Sequence, residues 1–195
     1  YYHMGRKAHF KHEDFLEAAT KIIAKDGPGA LTIASLAKQV NAPVGSVYHR
    51  YSSRDALLAE VWLKTIESFQ NEFLNLLKED GLKATLSCLH WVRKNPEEAR
   101  IMLLYRMQDL VSGKWPPDLK IRARRLDREL REAVKVFIEK EIGNVTPENI
   151  DRATFAIHDA PIGIIRRYLR ENKIPPDSVA DLIRETYEAV IKKTK

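Results

Sequence analysis

The stretch from Leu31 to Leu58, LTIASLAKQVNAPVGSVYHRYSSRDALL, constrains the fold more than any other part of the chain. Thr32 is placed to cap a helix, because its side-chain oxygen can accept a backbone N–H that the first turn leaves unpaired. Ile33, Leu36, Ala37 and Val40 recur at spacings of three and four, which gives one apolar helical face. Asn41-Ala42-Pro43 interrupts the pattern. Asn tolerates a left-handed backbone, and Pro suits the first turn of a new helix. Val44, Val47 and Tyr51 mark the inner face of a second short helix, leaving Gly45, Ser46, Tyr48, His49 and Arg50 outward. Two short helices joined by a tight turn, the second with a polar outer face, predict a helix-turn-helix. In that motif the second helix enters the DNA major groove.

The segment Pro43-Val44-Gly45-Ser46-Val47-Tyr48-His49-Arg50-Tyr51, followed by Ser52-Ser53-Arg54-Asp55-Ala56-Leu57-Leu58, resembles the TetR family of bacterial repressors. The matching features are the small pair Gly45-Ser46, the aliphatic Val47, the aromatic residues Tyr48 and Tyr51, the Ser53-Arg54-Asp55 turn and the Leu57-Leu58 pair. The resemblance covers roughly residues 10–62. Asn41 stands where the family often has Gly, and Pro43 where it often has a capping Ser or Thr. Both are compatible with the backbone, but a hydroxyl contact from position 43 is lost. The family resemblance implies an N-terminal DNA-binding head, a helical body holding a small-molecule effector, and a homodimer formed by the last two helices.

Each residue of the head has an expected role. Thr32, Tyr48 and Arg54 are candidate phosphate contacts, which fix register without reading sequence. Arg54 in a helix's first turn is unfavourable to the helix dipole, and a nearby phosphate would give it a purpose. Gly45 and Ser46 are small enough to let the helix approach the groove closely. Ser46, His49 and Arg50 are candidates to read base edges, with a phosphate as the alternative for Arg50, and Val44 could meet a thymine methyl.

The remainder reads as all-α, with about nine helices and no strand-like alternation. The first helix covers residues 10–26 and is stopped by Asp26-Gly27-Pro28-Gly29. Ser52 or Ser53 caps a long fourth helix that runs through Val61, Trp62, Ile66, Phe69, Phe73, Leu76 and Leu77. Later helices are expected near 82–93, 96–111, 117–142, 146–172 and 177–193, separated by Pro-, Gly- and Asn-containing breaks. Three segments follow: a basic arm over 1–9, a helix-turn-helix domain over 10–62, and a ligand-binding and dimerisation body over 63–195. Tyr1-Tyr2-His3 reads as a cloning scar and Met4 as a natural start. No Ser/Gly/Pro-rich spacer separates head from body, so motion in the body would tilt the head through the fourth helix.

Composition narrows the class. Hydrophobic residues make up 44% and charged residues 31%, the balance of a globular chain. One cysteine, Cys88, permits no intrachain disulfide and fits a reducing cytoplasm. No apolar run approaches the ~18 residues of a membrane span. The formal net charge of +6 permits nucleic-acid binding, but much of it falls after Lys120, where solvated helix faces are expected. His9 and His12 have metal-like spacing without a supporting acid cluster, so no metal is expected. No cofactor-binding or nucleophile motif is present, and Cys88 lies in an apolar helix, so no enzyme is expected.

The expected partners are a double-stranded DNA operator, a second copy of the chain through residues 146–172 and 177–193, and a small-molecule effector. Pro161 should bend the first of these two helices. Both helices carry more apolar surface than one contact covers. Effector candidates in the body are Phe69, Trp91, Tyr105, Met107, His158 and Asp159, of which the His158-Asp159 pair precedes the bend. A DNA-binding protein acting through protein contacts, with no effector, is the alternative.

Overall fold

The computed structural model describes residues 10–106 and 115–191. The described residues form α1 (His12–Asp26), a 3-10 turn (Pro28–Ala30), α2 (Ile33–Gln39), α3 (Val44–Tyr48), α4 (Arg54–Glu79), α5 (Gly81–Lys94), α6 (Pro96–Leu104) and α7 (Pro117–Glu141). A rod follows, made of α8 (Pro147–Thr154), a π-helical turn (Phe155–Asp159) and α9 (Ala160–Arg170). The last element is α10 (Ser178–Ile191). With the rod taken as one helix, the described residues make nine helices and no strands.

Local chemistry explains most boundaries. Gly27 ends α1 at φ 82, a conformation that Gly adopts without a Cβ clash. Thr32 accepts the Ser35 amide at 2.9 Å, and Ser35 Oγ accepts the Thr32 amide at 2.9 Å, a reciprocal cap for α2. Ser53, rather than Ser52, caps α4 by accepting the Ala56 amide at 3.0 Å. Asp80 caps α5 through the Lys83 amide at 2.9 Å.

Two expectations are corrected. α6 stops at Leu104 rather than near 111: Tyr105 is extended, and Arg166 of α9 donates to the Leu103 carbonyl at 2.8 Å. The Pro161 distortion is a π turn rather than a simple bend. The Ala160 amide bonds the Phe155 carbonyl five residues back, which gives the ring of a proline without an N–H a place in the rod.

Two apolar cores meet along α4. The head core gathers Phe15, Leu16, Ile23, Leu36, Val47, Tyr51 and Leu57, and extends up α4 to Val61 and Leu63. The body core takes over at Phe73 and Leu77, with Leu89, Trp91, Phe137, Ile157, Ile165 and Ile183. The seam is interlocked: Ile101 of α6 and Leu119 and Leu126 of α7 sit in the head core. Arg100 of α6 ties the pieces together, donating to the Ala24 carbonyl of α1 at 3.1 Å and the Leu169 carbonyl of α9 at 3.2 Å.

Part of the later positive charge is structural rather than solvated. Arg122 of α7 makes a paired contact with the Glu67 carboxylate (2.6 and 2.5 Å) and reaches Glu60 at 2.7 Å, both on α4. The Arg122 hydrogen bond holds the Glu67 carboxyl below its ordinary 4.5, against a smaller opposing effect of burial. A carboxyl depressed in the folded state stabilises the fold above its ordinary pKa and loses that contribution as pH falls through the folded value. Melting measured from neutral pH down to about pH 3 should therefore fall less steeply for Glu67→Gln than for the parent chain. Identical acid limbs would show that the contact carries no pH-dependent stability.

Candidate nucleic-acid interface

α3 is a five-residue helix whose orientation is set from one side only. The left-handed Asn41 (φ 54) turns the chain after α2, and the Ala42 amide closes the turn on the Ala37 carbonyl at 2.9 Å. Pro43 opens α3, with its carbonyl accepting the Ser46 amide at 2.9 Å. Val47 is fully buried and pins the helix to the head core. Tyr51 closes the segment from within: it is 4% exposed, and burial first, then nearby Glu60, push its phenol above the ordinary 10.0. That tyrosine is an anchor, as its spacing predicted.

The opposite face is open. Tyr48 is 60% exposed and Val44 46% exposed. Val44 therefore points outward instead of joining the inner face, which corrects one part of the expected pattern. Thr32, Gly45 and His49 are also exposed, and Ser46 is half-buried. A Cβ added at Gly45 would meet nothing within 4 Å. Thr32, Val44, Gly45, Ser46, Tyr48 and His49 thus share the outer side of α2–α3.

The two arginines behave differently. Arg50 folds back along the head, donating to the Phe10 carbonyl at 2.5 Å and lying 5.1 Å from the Phe15 ring centroid. Arg54 donates to the Leu31 carbonyl at 2.6 Å and also to the Pro28 carbonyl. This answers the dipole problem at the start of α4: the guanidinium secures the α1–α2 connection. The sequence missed this role because the acceptors, some 25 residues earlier, come near only through the tertiary fold.

The effector candidates do not converge. Phe69 and Trp91 meet edge to face at 5.4 Å, within and against the body core. Tyr105 packs instead against the head core, near Gly27. His158 and Asp159 bond each other at 2.7 Å on the exposed side of the π turn. Met107 lies outside the described residues. One residue went unremarked in the sequence: Gln70 is 7% exposed on α4 between Ile66, Phe69, Phe73 and Leu77, and its Oε1 has no hydrogen-bond partner among the described residues. A polar residue on an otherwise apolar stripe was the available signal.

Two open hollows, about 240 and 290 Å³, lie along the α1–α6 seam, and both include Lys21 and Glu97. None of the effector candidates lines either one. Burial pushes the Cys88 thiol up to about 12, so it stays protonated at neutral pH. Among the described residues, no three His, Cys, Asp or Glu side chains gather as a cation site. No helix among them is long and apolar enough to cross a membrane.

A short outward-facing helix held on a three-helix head, with a long fourth helix leading into a helical body, defines a helix-turn-helix protein. Residues 15–61 match the family model described as bacterial regulatory proteins, tetR family. The resemblance read over roughly residues 10–62 is thereby borne out in the head, and the fold matches that of solved regulators along the chain. The transcriptional regulator FadR from Bacillus subtilis, solved in complex with stearoyl-CoA, superposes with a TM-score of 0.68 at 13% identity, covering 93% of this chain and 98% of that one. A TetR family transcription regulator from Marinobacter aquaeolei VT8 gives 0.69 at 16% identity, over 92% and 94% of the two chains. The fatty acid degradation regulator FadR from Bacillus halodurans gives 0.67 at 13%, over 95% and 97%. Comparison with curated protein sequences finds no match.

Proposed function

We propose that the protein is a cytoplasmic, homodimeric repressor that binds a palindromic operator through α2 and α3 and is released by a small molecule held in the body. The observation that carries this reading is the two-sidedness of α3: Val47 is fully buried, while Tyr48, Val44 and the open position Gly45 face out. Tyr48 and Thr32 meet phosphates, Gly45 and Ser46 permit close approach, and Ser46, His49 and Val44 face the bases. Arg54 and Arg50 hold the head together through backbone carbonyls in the free protein, and both are exchanged onto DNA when it binds, Arg54 to a phosphate and Arg50 to a base edge or a phosphate. The domain boundary falls near Leu63, where the head core ends on α4.

The last two helices supply the dimer surface. Ile150, Phe155 and Leu182 are exposed apolar side chains on α8, the π turn and α10. A second copy covering them would place two reading helices about 34–36 Å apart, matching successive major grooves. For the effector, the fold shared with a FadR solved with stearoyl-CoA supports a mainly apolar molecule. The Phe69–Trp91 contact between α4 and α5 and the unpartnered Gln70 carbonyl support a site on that side of the body, where Gln70 would accept from an N–H or O–H of the effector. Release follows if that molecule binds better to a dimer whose heads are differently spaced.

Selection of bound duplexes from a random DNA library tests the reading. A palindromic motif is the expected result; enrichment without a shared motif would reduce it to charge-driven binding. On the selected duplex, Tyr48→Phe should bind roughly tenfold more weakly, the value of about 1.4 kcal/mol for lost phosphate bonds. Unchanged affinity would remove Tyr48 from the phosphate contacts.

A further inference from the structure

A chain of polar contacts runs from the body to the end of the recognition helix. Arg122 of α7 donates through Nη1 to Glu60 Oε1 of α4 at 2.7 Å. The same oxygen lies 3.7 Å from Nε2 of His12, at the start of α1. The other ring nitrogen of His12, Nδ1, is 3.1 Å from the Tyr51 hydroxyl, and the two rings stack with centroids 5.6 Å apart. Tyr51 in turn donates its amide to the Val47 carbonyl of α3 at 2.9 Å. α7, α4 and α1 are thus joined to Tyr51 through side chains, and a backbone bond carries the chain on to α3.

Both ends of the chain are held. Arg122 is tied to α4 a second time, because its Nε and Nη2 occupy both oxygens of Glu67, and Arg125 adds a third bond to that carboxylate at 3.1 Å. Leu119 and Leu126, one helical turn on either side of Arg122, are buried in the head core. The side chains of Arg122, Glu60 and Glu67 are 26%, 17% and 22% exposed, so water and salt screen them only in part. At the other end, Tyr51 is 4% exposed and lies three residues beyond the outward-facing Tyr48. Glu60 is the junction: its Oε1 serves the body cation and the head histidine together.

We propose that Arg122, Glu60 and His12 are positioning residues, which set the orientation of α3 from the body by holding Tyr51 in place. This rests on the reading of α3 as the helix that enters the groove. A change in the body that slides α7 along α4 withdraws Arg122 from Glu60. His12 then loses the fixed partner that orients its ring against Tyr51, and α3 loosens at its C-terminal end. None of these residues is among those read as meeting DNA, so their effect on affinity should carry no phosphate contact with it.

Amide hydrogen exchange on the full chain tests this without DNA. Arg122→Met should speed exchange of the amides of residues 48–51 by about tenfold, leaving α10 amides as in the parent. Lys140→Met breaks a different α7–α4 tie, the bond from Nζ to the Glu79 carbonyl at 2.8 Å, and should leave residues 48–51 unchanged. Glu60→Gln keeps the shape of the junction while removing its charge, and should reproduce Arg122→Met if that variant folds poorly. On a selected duplex, Arg122→Met should lower affinity with no change in the slope of log affinity against log salt, because no phosphate contact is lost. Residues 48–51 exchanging as in the parent in both Arg122→Met and Glu60→Gln, or equally fast in Lys140→Met, would overturn the proposal and leave a plain helix-to-helix staple. Failure to select any duplex would overturn the DNA reading alone, since the exchange measurement stands apart from it.

Discussion

Gly45→Asp should weaken sequence-specific DNA binding at least about thirtyfold while leaving the fold intact. The position tolerates a side chain in the free protein: a Cβ there meets nothing within 4 Å, and the residue lies in the first turn of α3, where a carboxylate is favourable. The same substitution is hostile to a duplex. It fills the space through which the helix must approach the groove, and it brings a negative charge toward phosphates. A penalty of about 1–3 kcal/mol per half-site, the size of one mismatched base pair, acts twice in a dimer. That is at least about a thirtyfold loss of affinity and, at the upper end, a loss of about ten-thousandfold. Binding titrations on a selected duplex measure the loss, and a melting temperature within about 2 °C of the parent shows the fold retained. Undiminished binding by Gly45→Asp would mean that α3 is not the helix in the groove.

That prediction uses a feature visible in the sequence, and the head is where sequence was most informative. Thr32 as a cap, Asn41 as a left-handed turn, Pro43 as a helix start and Tyr51 as a buried anchor each follow from the chemistry of one residue and its near neighbours. What escaped depends on residues far apart in sequence. Arg54 looked misplaced until the fold set the carbonyls of Pro28 and Leu31 beside it. α6 reads as continuing past Leu104, because nothing local shows that Arg166 will claim the Leu103 carbonyl. Nothing local says which core receives Ile101, Leu119 and Leu126; all three enter the head core. The expected effector residues were the least legible part. Aromatic residues at helical spacing fill a core and line a pocket equally well, so the candidates fall in the body core, against the head core and on the exposed π turn.

Gly81→Val should produce a large loss of stability. Gly81 opens α5 at the point where three helices meet, buried against Phe137 of α7 and Tyr187 of α10. A Cβ built there would collide with the Phe137 ring edge and the Tyr187 hydroxyl. Neither ring can step aside cheaply: Phe137 is 1% exposed, Tyr187 is 3% exposed, and their centroids are 6.5 Å apart. The backbone of Gly81 is equally constrained, since its carbonyl accepts the Thr85 hydroxyl at 2.7 Å. Overpacking of a filled core costs about 1–3 kcal/mol, and two simultaneous collisions place this one near the top of that range. For a chain of this size, about 3 kcal/mol corresponds to a fall of about 6–12 °C in melting temperature. Gly29→Ala, where a Cβ meets nothing within 4 Å, should leave the melting temperature nearly unchanged. Equal melting of Gly81→Val and the parent would mean that α5 can withdraw from the α7–α10 junction at little cost. The body would then be a looser assembly than its buried aromatic contacts indicate, and a weaker lever on the head.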